Sequence, residues 1–257
     1  MLKTLPLFLL VMLLACGPKK LAVKYADTYL EKQVEKHLPL TQAQDDVLAS
    51  DIDRFLNGHK DEVKKFLPLL AAIDLNSAAS LDEQYPKFVD LYLDLAQDFS
   101  QILARHIAAF SEKQQKEFLR TVDKENEKIA AQKKEYQKKI QSRITHYLGS
   151  LTPPQKEILK RHAETFKKQL QRRVERRTGM KTFFEKNFAT EFSREDRTRS
   201  IVEAFTEFQK RALAESENLS IAKEFVPTLT PAQKKHLRGH FEDIEELVGY
   251  YLEANYN

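Results

Sequence analysis

Residues Ser111 to Arg177 read SEKQQKEFLRTVDKENEKIAAQKKEYQKKIQSRITHYLGSLTPPQKEILKRHAETFKKQLQRRVERR. The stretch holds no alternating β-branched run, and its breaks are Gly149-Ser150 and Pro153-Pro154. Lys, Glu, Gln, Leu and Ala, all good helix formers, fill both halves. Ser111 with Gln114 and Thr152 with Gln155 have the spacing of a capping box. The cap hydroxyl accepts from the third backbone N–H, and the Gln side chain reaches back to the cap's own N–H. Pro153 stands at a first helical position, where its missing N–H costs nothing. The first half predicts a helix over 112–148, longer than ~50 Å at ~1.5 Å per residue. Its middle offers few apolar positions: Ile129, Tyr136 and Ile140. The second half predicts a helix over 153–177 with a narrow stripe of Ile158, Leu159, Phe166, Leu170 and Val174. A tight link at Gly149-Ser150 makes the two a long central helical hairpin.

Outward from the hairpin the same start signal recurs. Thr41 with Gln44, Ser193 with Asp196 and Thr230 with Gln233 each follow a Leu or Phe, and Ser80 with Glu83 repeats the spacing. Asp196 is too short to reach back well, so that cap is the weakest. These starts predict helices over 42–56, 81–109, 194–217 and 231–254. A helix over 22–37 precedes the first cap. Another over 60–74 should bend at Pro68. The segment 180–190, with Phe183, Phe184 and Phe188, reads as a short apolar helix. Asn57-Gly58, Gly149 and Thr178-Gly179 are read as stops. Six Gly and no Trp in 257 residues, with 31% charged residues, agree with helices whose large core pieces are Phe and Tyr. The expected class is all-α: an elongated bundle of about eight to nine helices, a single domain over 22–257.

The chain begins MLKTLPLFLLVMLLAC. Lys3 is a positive start, Leu5 to Leu14 an apolar stretch too short to span a bilayer, and Ala15 a small residue before a cut. Leu13-Leu14-Ala15-Cys16 resembles the bacterial lipobox, in which the cysteine is diacylated and the chain is cut before it. Residues 1–15 then read as a lipoprotein signal peptide and 16–21 as a lipid tether. Cys16 is the only cysteine, so the mature chain has no disulfide. Several acyl chains on one residue anchor stably, because each buried CH₂ contributes roughly 0.8 kcal/mol. Gly17, rather than Asp, points to the outer membrane. The expected location is the bacterial cell envelope, facing the periplasm.

The formal charge of +4 hides an asymmetry. Tyr25 to Asp98 holds 15 acidic against 7 basic residues, a net of −8; Arg120 to Arg177 holds 17 basic against 7 acidic, a net of +10. A lipid-anchored periplasmic chain does not meet chromosomal nucleic acid. The basic segment can face anionic headgroups, an acidic partner, or the acidic half of its own fold. The candidate binding surface is Lys160, Arg161, Lys167, Lys168, Arg172, Arg173, Arg176 and Arg177. Phe166, Leu170 and Val174 lie among them, and a cationic face beside apolar groups suits non-native chains or anionic envelope polymers.

Signals for chemistry are few. There is no Gly-rich phosphate loop and no Gly-x-Ser-x-Gly elbow. With Cys16 lipidated no thiol nucleophile remains. His236 and His240 lie four apart, a spacing that can hold a metal, but Leu237 rather than Glu follows His236, so this is not the metalloprotease helix motif. They are read as two solvated histidines. His37, His59, His106, His146 and His162 are scattered. No catalytic residue, metal or cofactor is expected.

Two resemblances follow from the motifs. Leu-Thr-x-x-Gln occurs at Leu40 to Gln44, Leu151 to Gln155 and Leu229 to Gln233. It resembles the repeated signature of the Spy/CpxP group of periplasmic helical envelope-stress proteins, whose member Spy is an ATP-independent chaperone with a basic, concave helical cradle. More of the chain is similar to a family of bacterial lipoproteins known as a domain of unknown function. The segments KYADTYLEKQVEKHLPLTQAQ, NGHKDEVKKFLPLL and KKIQSRITHYLGSLTPPQKEIL carry that likeness. The resemblance implies a lipidated, all-helical protein and brings no activity. The expected function is a membrane-anchored, non-enzymatic binding module for protein clients, in a chaperone-like manner, or for anionic polymer. The alternative is a structural tether or assembly factor for one envelope partner, and a third is an envelope hydrolase.

Overall fold

The computed structural model describes residues 23–131 and 135–256. The signal, Cys16 and the tether lie outside them. The chain is an all-α, helix-packed bundle. In order, the described helices are α1 (Ala26–Glu35), α2 (Gln42–Gly58), α3 (Lys60–Lys64), α4 (Phe66–Ala71), α5 (Ala78–Ala108), α6 (Glu112–Ala131), α7 (Tyr136–Leu148), α8 (Pro153–Arg161), α9 (Ala163–Ala189), α10 (Arg194–Ala214), α11 (Asn218–Phe225) and α12 (Pro231–Glu253). A 3₁₀ turn, Val226–Thr228, joins the last two. No described helix is long and apolar enough to cross a membrane.

The caps start helices where their chemistry requires. Thr41, Ser111, Thr152 and Thr230 each donate their backbone N–H to the Oε1 of the Gln three residues on, at 2.9–3.0 Å. At Ser193 the hydroxyl accepts from the Asp196 N–H at 3.1 Å and donates to that carboxylate at 2.8 Å. The carboxylate does not reach the Ser193 N–H, as its length implies. Ser80 is not a cap: it stands inside the first turn of α5. Its hydroxyl accepts from the Asp74 N–H (2.8 Å) and donates to the Ala72 carbonyl (3.2 Å), so it ties the preceding loop to the helix.

Several breaks fall elsewhere than the sequence suggests. The bend expected at Pro68 is a break at Lys65, between α3 and α4. Proline's ring opposes the helical carbonyl four residues before it, so the helix restarts just upstream and leaves Pro68 in a first turn. Pro86 by contrast sits inside α5, where it removes one intrahelical bond from a helix of 31 residues. The stop read at Asn57-Gly58 does fall there: α2 ends at Gly58, with His59 as the link to α3. Gly179 is not a stop. α9 runs through it, and the separate helix over 180–190 does not exist. The Phe208 ring lies 3.7 Å from where a Cβ on Gly179 would sit, so this turn is packed against α10. The helix over 112–148 is described as α6 and α7, with 132–134 outside the description, and that over 153–177 breaks at His162. The short helix α11 was not anticipated.

The hairpin is present: α9 packs along both α6 and α7, after a reversal at Gly149, whose φ of 75° suits glycine. α5 and α10 form the most extensive helix pair. Two cores result. The larger gathers Leu48, Ile52, Phe99, Ile107, Phe118, Phe184, Ile201, Leu247 and Val248 from α2, α5, α6, α9, α10 and α12. Phe184, 1% exposed, stands edge-on to Phe118 at 4.8 Å and to Phe205 at 5.9 Å. The smaller gathers Leu148, Leu151, Ile158, Leu159, Phe166, Ile221, Phe225 and Leu229. α9 supplies Phe166 to the small core and Phe184 to the large one, and α12 supplies Leu237 and Leu247 in the same way. These two helices therefore run through both.

Two of the three Leu-Thr-x-x-Gln motifs meet each other, and the third meets the Ser111 cap. The Gln155 and Gln233 amides exchange hydrogen bonds, Nε2 to Oε1, at 2.8 and 2.9 Å. Each spends its second N–H on the backbone carbonyl two residues before the other's cap, Thr228 (3.1 Å) and Ser150 (2.8 Å). Each Oε1 also holds its own cap N–H. Both amides are buried, 0% and 4% exposed. At the other pair Gln114 donates to the Gln44 Oε1 at 2.6 Å and to the Pro39 carbonyl at 2.7 Å. The repeated glutamine thus fastens two helix starts to each other as well as capping its own helix.

Candidate binding surface

The eight basic residues singled out from the sequence lie on α8 and α9 and do not form one free face. Arg161 donates to the Glu224 carboxylate at 2.7 Å, and the ring of His162 meets its other oxygen at 2.7 Å. Arg161 and then His162 hold the Glu224 carboxyl below its usual range. Arg172 reaches the Glu215 carbonyl (3.2 Å) and the Glu217 carboxylate (3.5 Å). Arg176 pairs with Glu215, which Arg211 also holds, and these cations depress the Glu215 carboxyl, Arg211 most. Lys160 faces Glu157 at 4.0 Å and Lys167 pairs with Glu164. Lys168 is exposed and makes no ion pair among the described residues. The acidic partners come from α8 itself, from the start of α9 and from 215–224, so the acidic half over 25–98 is not what neutralises this segment. Exposed pairs of this kind contribute ~0–1 kcal/mol each and leave the surface open to competition.

Two arginines differ. Arg177 is half-buried and donates to the Asn126 Oδ1 at 2.7 Å; burial lowers its pKa. Arg173 is half-buried too, with its Nε sealed from solvent and bonded to nothing among the described residues. Burial is the main cause of its lowered pKa, and the cations of Arg143 and Arg176 add to it. A guanidinium stays charged in proteins, so Arg173 is a positive centre without a described counter-ion, beside other positive centres. Arg143, on α7, was not among the expected residues. Its signal was the seven-residue spacing from Tyr136, which puts both on the face of α7 that meets α9.

The apolar part of the expected face is inside. Phe166 and Leu170 are buried and Val174 is half-buried. The large apolar side chains exposed among the described residues are Tyr25, Val47 and Phe192, on separate elements.

A second concentration of charge lies between α2 and α5, around an open cleft of about 260 Å³. Asp51 (7% exposed) and His106 (6%) make a buried pair, with 3.1 Å between carboxylate Oδ2 and Nε2. Arg54 donates to the same carboxylate and Arg105 stands 3.5 Å from it. Burial pushes the His106 pKa down, against the pull of Asp51. At the rim, the His59 ring contacts the Phe55 carbonyl (2.8 Å) and Asp98 (3.0 Å). No hydroxyl or thiol side chain lines this cleft. Its charges are spent on one another. Nothing in sequence spacing marked Asp51 and His106 as partners, because they are 55 residues apart and lie on helices that meet only in the fold.

Comparisons with family models, with curated proteins and with solved structures return no match for this chain.

Proposed function

We propose that the chain is a non-enzymatic binding module of a bacterial envelope, lipid-anchored at Cys16, that takes an anionic polymer on the basic face of α7 and α9. Arg173 carries this reading. A half-buried cation without a counter-ion among the described residues is costly to hold, and the acidic groups of a ligand would supply one to the part of the guanidinium that solvent reaches. Arg143 and Arg176, whose charges act on Arg173, lie beside it and extend the attraction along a polymer.

The scattered positions of Tyr25, Val47 and Phe192 weigh against a chaperone-like form, which needs contiguous apolar surface for non-native clients. A tether or assembly factor for a single partner is the second reading, favoured by the same scatter of exposed apolar side chains among the described residues. The paired charges of the Asp51 cleft give no support to a hydrolase.

Heparin serves as a probe of anionic-polymer binding, with neutral dextran as control. The full chain in detergent should bind heparin with an affinity that falls steeply with added salt and should ignore dextran. The Arg143→Gln/Arg173→Gln variant should bind at least ~10-fold more weakly, since charge-assisted contacts contribute about 1.5–3 kcal/mol each. Equal binding by native chain and variant sinks the proposal. Cross-linking in cells that captures one protein and no polymer favours the tether.

A further inference from the structure

His236 and His240 have a spacing on one helix that can hold a metal, and the fold brings a third group to them. α12 presents the two imidazoles one turn apart, with Nε2 atoms 3.3 Å from each other. α7 ends against them. The His146 carbonyl oxygen, in the last turn of α7, lies 3.2 Å from the His236 Nε2 and 3.4 Å from the His240 Nε2. The three atoms form a nearly equilateral triangle.

Hydrogen bonding does not account for that triangle. Each imidazole can place one proton on its Nε2, so two neutral rings offer at most two protons to three contacts. If both nitrogens donate to the carbonyl, they face each other with no hydrogen between them. If one donates to the other, the bare nitrogen meets the carbonyl lone pair to lone pair. A cation at the centre turns all three contacts into attractions.

The dimensions fit one class of ion. Ligands at ~2.0–2.1 Å from zinc and at tetrahedral angles are about 3.3–3.4 Å apart. The electrostatics fit as well. The last four carbonyls of a helix lack intrahelical partners and carry the negative end of its dipole, so the end of α7 attracts positive charge. The imidazole of His146 packs against the ring of His240, with centroids 5.5 Å apart, and does not enter the triangle.

We propose that the His236 Nε2, the His240 Nε2 and the His146 carbonyl oxygen form a site for a divalent transition cation of the zinc class, with water completing the coordination. The site joins the end of α7 to α12 beside Leu237, which packs on the small core, so the ion would staple that core shut. It is independent of the anionic-polymer reading.

The test uses the full chain in detergent, without a histidine affinity tag, stripped of metal with a chelator. Calorimetric titration with zinc chloride should show one strong site per chain, and cobalt(II) should give the intense visible bands of tetrahedral coordination. His236→Gln/His240→Gln should lower zinc affinity at least ~10-fold and abolish the bands, with the helical circular dichroism of the native chain as the check on folding. The proposal is overturned if the double histidine variant, folded, binds zinc as tightly as the native chain, or if the native chain binds none.

Discussion

His106 shows how a single buried base makes the fold sensitive to acid. Its pKa is lowered by burial, so the unfolded chain accepts a proton first as pH falls. The stability that His106 contributes is complete above the ordinary imidazole value of about 6.5 and declines as pH drops through the interval below it. Burial lowers the pKa of His37 in the same direction, while Glu31 and Asp53, raised mainly by burial, act in the opposite sense at lower pH. The prediction is therefore a difference between two proteins. His106→Gln should flatten the loss of stability between about pH 7.5 and about pH 5.5, read from urea midpoints. Parallel slopes for variant and native chain would refute it. The glutamine pairs make a second prediction at this scale. Gln155→Ala should destabilise by about 1–3 kcal/mol, because the Gln233 amide and a cap N–H lose partners in the interior. Adding Gln233→Ala should cost less than the sum of the singles. Strict additivity in a double-mutant cycle would show that the amide exchange contributes nothing.

At the scale of the helix, the stops are the instructive part. The starts were legible because a cap is local: a hydroxyl and an amide three residues apart fix it whatever surrounds them. Thr41, Ser111, Thr152, Ser193 and Thr230 all begin helices where their sequence says. The ends depended on tertiary contacts. Gly179 fails to end α9 because Phe184, five residues on, has a place in the large core and the helix must continue to reach it. Ser80 looked like a cap and instead ties a loop. Of the candidate surface, the basic residues were legible but their partners were not, since Glu215, Glu217 and Glu224 reach them from another part of the chain. Two substitutions separate a glycine that turns the chain from one that does not. Gly179→Ala should stabilise by about 0.5–1 kcal/mol, because Ala favours a helix interior and its Cβ meets Phe208 at ordinary contact distance. Gly149→Ala meets no neighbouring atom but must hold a φ of 75°, and should destabilise by about 1–3 kcal/mol. Thermal unfolding of the two variants should move in opposite directions; a shift in the same direction would mean that one of these glycines is misread.

For the whole molecule, the question is where it is held. The lipid reading of Cys16 makes the body a tethered one, and Cys16→Ser should move the protein from the membrane fraction to the soluble fraction. Retention at the membrane after that change would mean that another feature, such as the basic face, does the anchoring. One contact described by the fold bears on timing rather than place. The hydroxyl of Tyr256 donates to the carbonyl of Val23 at 3.1 Å, and Asn57 binds the Tyr256 backbone by donating to its carbonyl at 2.6 Å. Both Tyr256 and Val23 belong to the large core. The contact closes a loop of 233 residues, and loop closure opposes such contacts throughout folding. During synthesis, Val23 emerges early, and the tyrosine hydroxyl that its carbonyl receives does not exist until residue 256 has been made. The segment around Val23 is thus the part that must wait longest for its final packing.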